Sequence, residues 1–372
     1  MKTILSFDGG GVRGAISVAF LERIEQLCSG SPETPLARKI DLAGGTSTGA
    51  IVSAALALGM SSRDIRDFYF TLAPRIFRRS RLRIPGLQSV FDAKSLKNEI
   101  RQICGDRELS TPDLLCSYAL VIKRIDTGSA WLLSNNPTSS FWDDPPDGSY
   151  IGNRHYRLGD LIRASTAAPH YFQPESISVI DGAPPGLFVD GGVTPHNNPA
   201  LALLQLVSVP GYGYNWPLGA DQLRIISVGT GSFRTQLSAA RAARTPASLL
   251  AVHALAGLIQ DCQTQTLMQM QMLGKNLLPW SINSEVGDLA GFCLTQKPLF
   301  EFVRYDVQLD HIWLKDNLDI RMSKSAVEKL RQMDNPDIIS PAYEIGQAAA
   351  EKMVKPEHLT GMGASCSTGS PT

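Results

Sequence analysis

Asp8-Gly9-Gly10-Gly11-Val12-Arg13-Gly14 stands directly behind the apolar run Ile4-Leu5-Ser6-Phe7. A strand that ends in consecutive glycines and restarts as a helix leaves backbone N–H groups unpaired and unshielded by any Cβ. Such a turn is an anion hole, either for phosphate or for the oxyanion of acyl transfer. Gly45-Thr46-Ser47-Thr48-Gly49 follows a second short apolar segment, Ile40-Asp41-Leu42-Ala43, and leads into a helical run from Ala50 to Leu58. That is the spacing of strand, nucleophile and helix: Gly45 and Gly49 let the flanking backbone pass close, and the helix turns its positive end toward the Ser47 hydroxyl. Together the two turns predict a serine hydrolase.

A serine nucleophile needs a base. Asp190-Gly191-Gly192 follows Leu187-Phe188-Val189, which places its carboxylate at a strand end on a turn that glycine can sharpen. A carboxylate is a weak base, so Asp190 would need burial or a hydrogen bond to hold the Ser47 hydroxyl in register. Each piece also has a plainer reading. Serine is a favoured helix N-cap, Asp-Gly-Gly is a common turn, and Arg13 suits a surface ion pair as well as an acyl or phosphate oxygen. Gly9-x-Gly11-x-x-Gly14 fits a dinucleotide fingerprint, although the second strand then ends in a serine elbow where the acid for the ribose belongs. That rival would make the chain a nucleotide-binding regulator with a vestigial elbow. A Ser-His-Asp esterase using His196, His253 or His311 is the other, and against it Ser47 comes too early for the strands that normally precede that elbow.

The elements that must position these groups follow from periodicity. Strand 3–7, a helix over 14–28 and the strand before Ser47 form a βαβ unit, whose right-handed crossover makes the strands parallel and brings both glycine turns to one sheet edge. Residues 118–122, 131–133, 187–189 and 223–228 read as further strands, and 158–166, 247–274, 324–333 and 342–355 as helices. Lysine plus arginine (35) equals aspartate plus glutamate (35), which argues against a nucleic-acid polymer as partner. The cysteines stand without a CxxC pair, so neither a zinc site nor a disulfide framework is expected, and no cofactor or metal is implied. A catalytic loop beginning at Asp8 leaves no room for a cleavable leader, and no apolar stretch reaches the roughly 20 residues of a membrane span. A cytoplasmic protein that meets membranes only from its surface is the expectation.

Asp-Gly-Gly-Gly-x-Arg-Gly at 8–14, Gly-Thr-Ser-Thr-Gly at 45–49, Ala164-Ser165-Thr166-Ala167-Ala168-Pro169-His170-Tyr171-Phe172 and Asp190-Gly191-Gly192 occur together and in order. In this the chain resembles the patatin-like phospholipases of bacterial type. The resemblance covers roughly residues 3 to 232. It implies a three-layer α/β/α sandwich with a mainly parallel sheet, and lipid acyl hydrolysis without metal. Ser47 would be the nucleophile, Asp190 the base, and Gly9, Gly10 and Gly11 the oxyanion hole. Arg13, Gly14, Gly45, Gly49, Gly191 and Gly192 would support them. The stretch from Ala164 would pack small residues near the dyad, with His170 in the interior. Some bacterial relatives are antiviral effectors switched on by cyclic nucleotides, which makes a cyclic nucleotide an expected activator.

One domain over 1–355 is expected, with a motif-bearing core at 3–232, a helical C-terminal part at 245–355 and a flexible tail at 356–372. Arg75, Arg78, Arg79, Arg81 and Arg83 stand among Ile76, Phe77, Leu82 and Ile84 without an acid between them. They suit an anionic bilayer of membrane phospholipids or a phosphate pocket, and equally a solvated loop with local ion pairs. The helix over 247–273 carries Val252, Leu255, Leu258, Ile259, Cys262, Leu267, Met270 and Leu273 on one face. That stripe packs on the sheet, lies on lipid, or forms the seam of a homo-oligomer.

Overall fold

The computed structural model describes residues 1–28, 34–76, 91–234 and 245–362. Among them one sheet is built from β1 (Lys2–Phe7), β2 (Leu42–Thr46), β3 (Ser117–Arg124), β4 (Ala130–Ser134), β5 (Glu175–Ile177), β6 (Gly186–Asp190), β7 (Leu223–Val228), β8 (Lys275–Leu278) and β9 (Glu301–Tyr305). Its order is β5-β6-β3-β2-β1-β7-β9-β8, with β4 on β3. The pairings from β3 through β2, β1, β7 and β9 to β8 are parallel, whereas β4 and β6 run antiparallel to β3, and β5 to β6.

Successive strand residues point to opposite faces, and both faces here are covered. Leu5, Phe7, Ala43, Ile226, Val303 and Tyr305 pack under α1 (Gly14–Cys28), α3 (Ser62–Ile76) and α10 (Ile339–Met353). Tyr118, Leu120 and Ile122 extend that layer beneath α2 (Thr48–Ala57), α4 (Ala93–Cys104) and α5 (Leu158–Ser165). Ile4, Leu42, Ile225 and Phe302 face the opposite way, toward α6 (Ala200–Ser208) and the C-terminal end of α7 (Ala247–Leu273). Two shorter helices, α8 (His311–Leu318) and α9 (Lys324–Leu330), bury Leu314, Leu318, Val327 and Leu330 against the first layer. The fold is the expected three-layer sandwich.

Four expectations need correcting. The second strand runs over Leu42–Thr46, so it leaves out Ile40 and Asp41 and continues past Gly44, because its register on β1 pairs Ile4 with Leu42 and Phe7 with Gly45. Asp41 stands just before it and accepts from the Thr3 N–H and the Lys2 ammonium. The part from 245 to 355 is not only helical, since β8 and β9 complete the sheet beside β7. The packed chain continues past residue 355, where Leu359 and Met362 are buried, and residues 363–372 lie outside the described ones. The stripe on α7 is split: Leu267 and Met270 are buried, while Leu255 and Leu258 are exposed.

Candidate active site

Ser47 occupies the joint between β2 and α2 with φ 55°, in the left-handed region. Its neighbours enforce that conformation. A Cβ on Gly49 would overlap the Phe7 carbonyl, and one on Gly45 would overlap the Gly49 backbone, so only glycine lets β1, β2 and α2 approach this closely. Ser47 N–H donates to Ser165 Oγ at 2.9 Å, and that hydroxyl donates to the Val121 carbonyl at 2.7 Å. The small-residue stretch from Ala164 thus pins the elbow's backbone to β3 through Ser165. His170 from the same stretch is exposed rather than interior, at φ 75°.

Strand register brings Asp190 to Ser47. β6 enters antiparallel from beyond the end of β3, pairing Phe188 with Arg124 and Asp190 with Ile122. Thr46 pairs with the adjacent Val121 on the other side of β3, so the last residue of β6 arrives beside the last residue of β2. Ser47 Oγ donates to Asp190 Oδ2 at 2.6 Å, and the Gly192 N–H donates to Oδ1 at 2.7 Å. Burial pushes the Asp190 carboxyl up to about 6, against the pull of these two hydrogen bonds and of the Arg163 guanidinium.

The glycine turn faces the same place, with one revision. Gly9 N–H donates to the Asn197 carbonyl at 3.0 Å, so it is not free to bind an oxyanion. The Gly9 carbonyl in turn accepts from Thr230 Oγ1 at 3.0 Å and Asn197 Nδ2 at 3.3 Å. Gly10 and Gly11 N–H have no hydrogen-bond partner among the described residues, and both residues line the cavity that holds Ser47. Gly11 takes φ 59° with the Met333 carbonyl against it, which any side chain would strike. Of the three glycine N–H groups expected to face an oxyanion, Gly9 N–H is thus already taken.

Beneath the turn lies a buried ion network that the sequence reading missed. Asp8 accepts from Arg304 Nη1 at 3.0 Å and Nη2 at 2.7 Å, and Nη2 also donates to Asp306 Oδ2 at 2.8 Å. Asp306 further accepts from the Gly231 N–H at 2.8 Å and the Ser232 hydroxyl at 2.6 Å. Arg13, itself buried, donates to the Gly231 carbonyl at 2.7 Å. The 8–13 and 229–232 segments are thereby tied to one another. Burial raises the Asp8 carboxyl to about 6 even so, and lowers Arg13 to about 10. Arg304 and Asp306 alternate with Val303, Tyr305 and Val307, which in sequence reads as a strand with one solvated face. No signal marks that face as covered.

A cavity of about 610 Å³ opens over Ser47 and Asp190. Ile51, Leu72, Ile76, Leu96 and Phe172 form an apolar wall, and Arg13, Ser232 and Arg331 line a polar one. No histidine lines it, and the Ser47 hydroxyl bonds Asp190 directly, so a histidine triad finds no support among the described residues. Gly14 opens α1 against Tyr69, and Gly191 and Gly192 form the turn after Asp190. Arg75 pairs with Glu99 at 2.9 Å at the end of α3. Arg78, Arg79, Arg81 and Arg83 lie outside the described residues.

A family model described as patatin-like phospholipase matches residues 5–204. Patatin-like protein 1 of Arabidopsis thaliana is 31% identical over 276 residues, which cover 66% of this chain and 63% of that protein. The cGAMP-activated phospholipase of Vibrio cholerae serotype O1 is 28% identical over 243 residues, 61% of this chain and 63% of that one. Intracellular phospholipase A2 of Caenorhabditis elegans is 28% identical over 239 residues, 61% of this chain and 19% of the relative. The chain thus spans less than two thirds of the length of each of these relatives. The matched span holds the glycine turn, Ser47 and Asp190 on the sandwich just described, and the chain belongs to the patatin-like phospholipase family.

Proposed function

We propose that the protein is a lipid acyl hydrolase of the serine class that releases fatty acids from membrane phospholipids. The observation that carries this reading is the 2.6 Å hydrogen bond from Ser47 to a buried Asp190, opposite the free amides of Gly10 and Gly11. In the first half-reaction Ser47 Oγ attacks the ester carbonyl while its proton passes to Asp190 Oδ2. The oxyanion is received by the N–H groups of Gly10 and Gly11. Collapse expels the alcohol, the lysophospholipid, which takes the proton from Asp190 and leaves an acyl-Ser47. Water then gives its proton to Asp190 and attacks the acyl carbon. Ser47 Oγ recovers that proton as the fatty acid departs. A carboxyl near 6 suits a base that must be ionised at neutral pH yet hold a proton briefly.

The apolar wall of the cavity suits an acyl chain, and relatives named as phospholipases supply the substrate class. The name of the Vibrio relative adds activation by a cyclic dinucleotide to the reading. Incubating the protein with mixed phospholipid vesicles, with and without cGAMP, tests both parts. Fatty acid should appear with the native chain and not with Ser47→Ala. Release by Ser47→Ala, or none from the native chain in either arm, would overturn the proposal.

A further inference from the structure

The two ends of α7 have different surroundings. Toward its C-terminus Leu267 and Met270 are buried in the core with Ile4, Leu203 and Phe302. From Ala247 to Gln260 the helix carries no Asp, Glu, Lys or Arg, yet Leu249, Leu250, Leu255 and Leu258 are 49%, 43%, 38% and 58% exposed. At about 100° per residue, Leu250, Leu258 and Leu255 stand about 100°, 180° and 240° around the axis from Leu249. A second protein surface covers one side of a helix; leucines distributed round it suit an apolar medium.

The position of these turns says which medium. Ala256 and Ile259, between and beside the exposed leucines, line the cavity that holds Ser47 and Asp190. Arg234 is exposed and lines the same cavity, with Arg331, Asp310 and Asp334 also on its lining, and α7 itself carries no Asp or Glu before Asp261. Apolar turns beside a cation and free of carboxylates complement the acyl chains and phosphates of a lipid leaflet. At 1.5 Å per residue, residues 247–260 extend roughly 20 Å, short of the roughly 30 Å hydrocarbon core, so they enter one leaflet without crossing. Among the described residues no helix is long and apolar enough to span a membrane.

We infer that residues 247–260 are the lipid-docking element, which seats the mouth of the catalytic cavity on a phospholipid leaflet. The inference rests on the lipid hydrolase reading for its occupant. Its test uses Ser47→Ala protein, which leaves lipid intact, floated with vesicles of phosphatidylcholine alone or mixed with phosphatidylglycerol. Adding Leu255→Ser and Leu258→Ser should lower the bound fraction at least roughly tenfold. Neither leucine lines the cavity, so in the otherwise native chain the same pair should spare hydrolysis of a soluble short-chain ester while vesicle hydrolysis falls. Equal flotation of pair and parent would overturn the inference, as would a parent that does not float. A lower solution mass of the pair in lipid-free buffer would also overturn it, by assigning the leucines to contact with a second copy. Failure of the hydrolase reading would show separately, as a native chain that turns over neither ester nor lipid.

Discussion

Asp190→Asn should abolish hydrolysis and, at neutral pH and above, make the fold more stable. The Asp190 carboxyl is 4% exposed and raised to about 6 by burial, whereas an exposed aspartate titrates near 3.9. For a raised acid the sign is fixed. Its contribution is fully present below about pH 4 and is lost as pH rises through about 6, because the unfolded chain ionises first. A rise of about two pH units corresponds to about 3 kcal/mol held against the folded state once the group is ionised. Asparagine carries no charge and keeps both contacts: its Oδ1 accepts from the Gly192 N–H and its Nδ2 donates to Ser47 Oγ. The variant should therefore gain roughly 1–3 kcal/mol at about pH 8, read as a Tm higher by a few degrees, with the gain vanishing near pH 4. Ester turnover should meanwhile fall by roughly 10³ or more. Thermal unfolding of both proteins across this pH range, beside an ester assay, reads both effects. A variant less stable than the native chain at the upper pH, or a difference that ignores pH, would refute the reasoning.

Arg304→Met leaves Asp8 and Asp306 buried without their cation, and should cost about 3–5 kcal/mol in denaturant unfolding; an unchanged midpoint would deny the network its role. Gly49→Ala drives a methyl into the Phe7 carbonyl and should lower Tm sharply or prevent folding, so a variant melting with the native chain would contradict the close approach of β1 and α2. The kcat/KM for a soluble ester should rise about tenfold per pH unit up to about 6 and then level, as Asp190 ionises, whereas a flat profile would exclude Asp190 as the base.

The two glycine turns were legible in the sequence because they rest on local backbone. Glycines at strand ends set the two turns, and those turns stand where parallel strands end. Asp190 was also legible as a residue at a strand end, but not the antiparallel entry of β6 that carries it to Ser47, which depends on pairing across β3. The fate of Gly9 N–H was hidden as well, since its acceptor, Asn197, lies far along the chain. Arg304 and Asp306 escaped notice because the cover over their strand face, which turns them into a buried network, is a tertiary event. The split of α7 was illegible for the opposite reason: one apolar stripe runs through a helix that leaves the sheet partway, and periodicity does not register the departure.

The most direct test of the central claim is covalent. An activated serine attacks a fluorophosphonate, and peptide mass spectrometry locates the adduct. A single adduct on Ser47 is expected in the native protein, with labelling lost in Asp190→Asn. An adduct on another residue, or equal labelling of Ser47 without the Asp190 carboxylate, would contradict the claim.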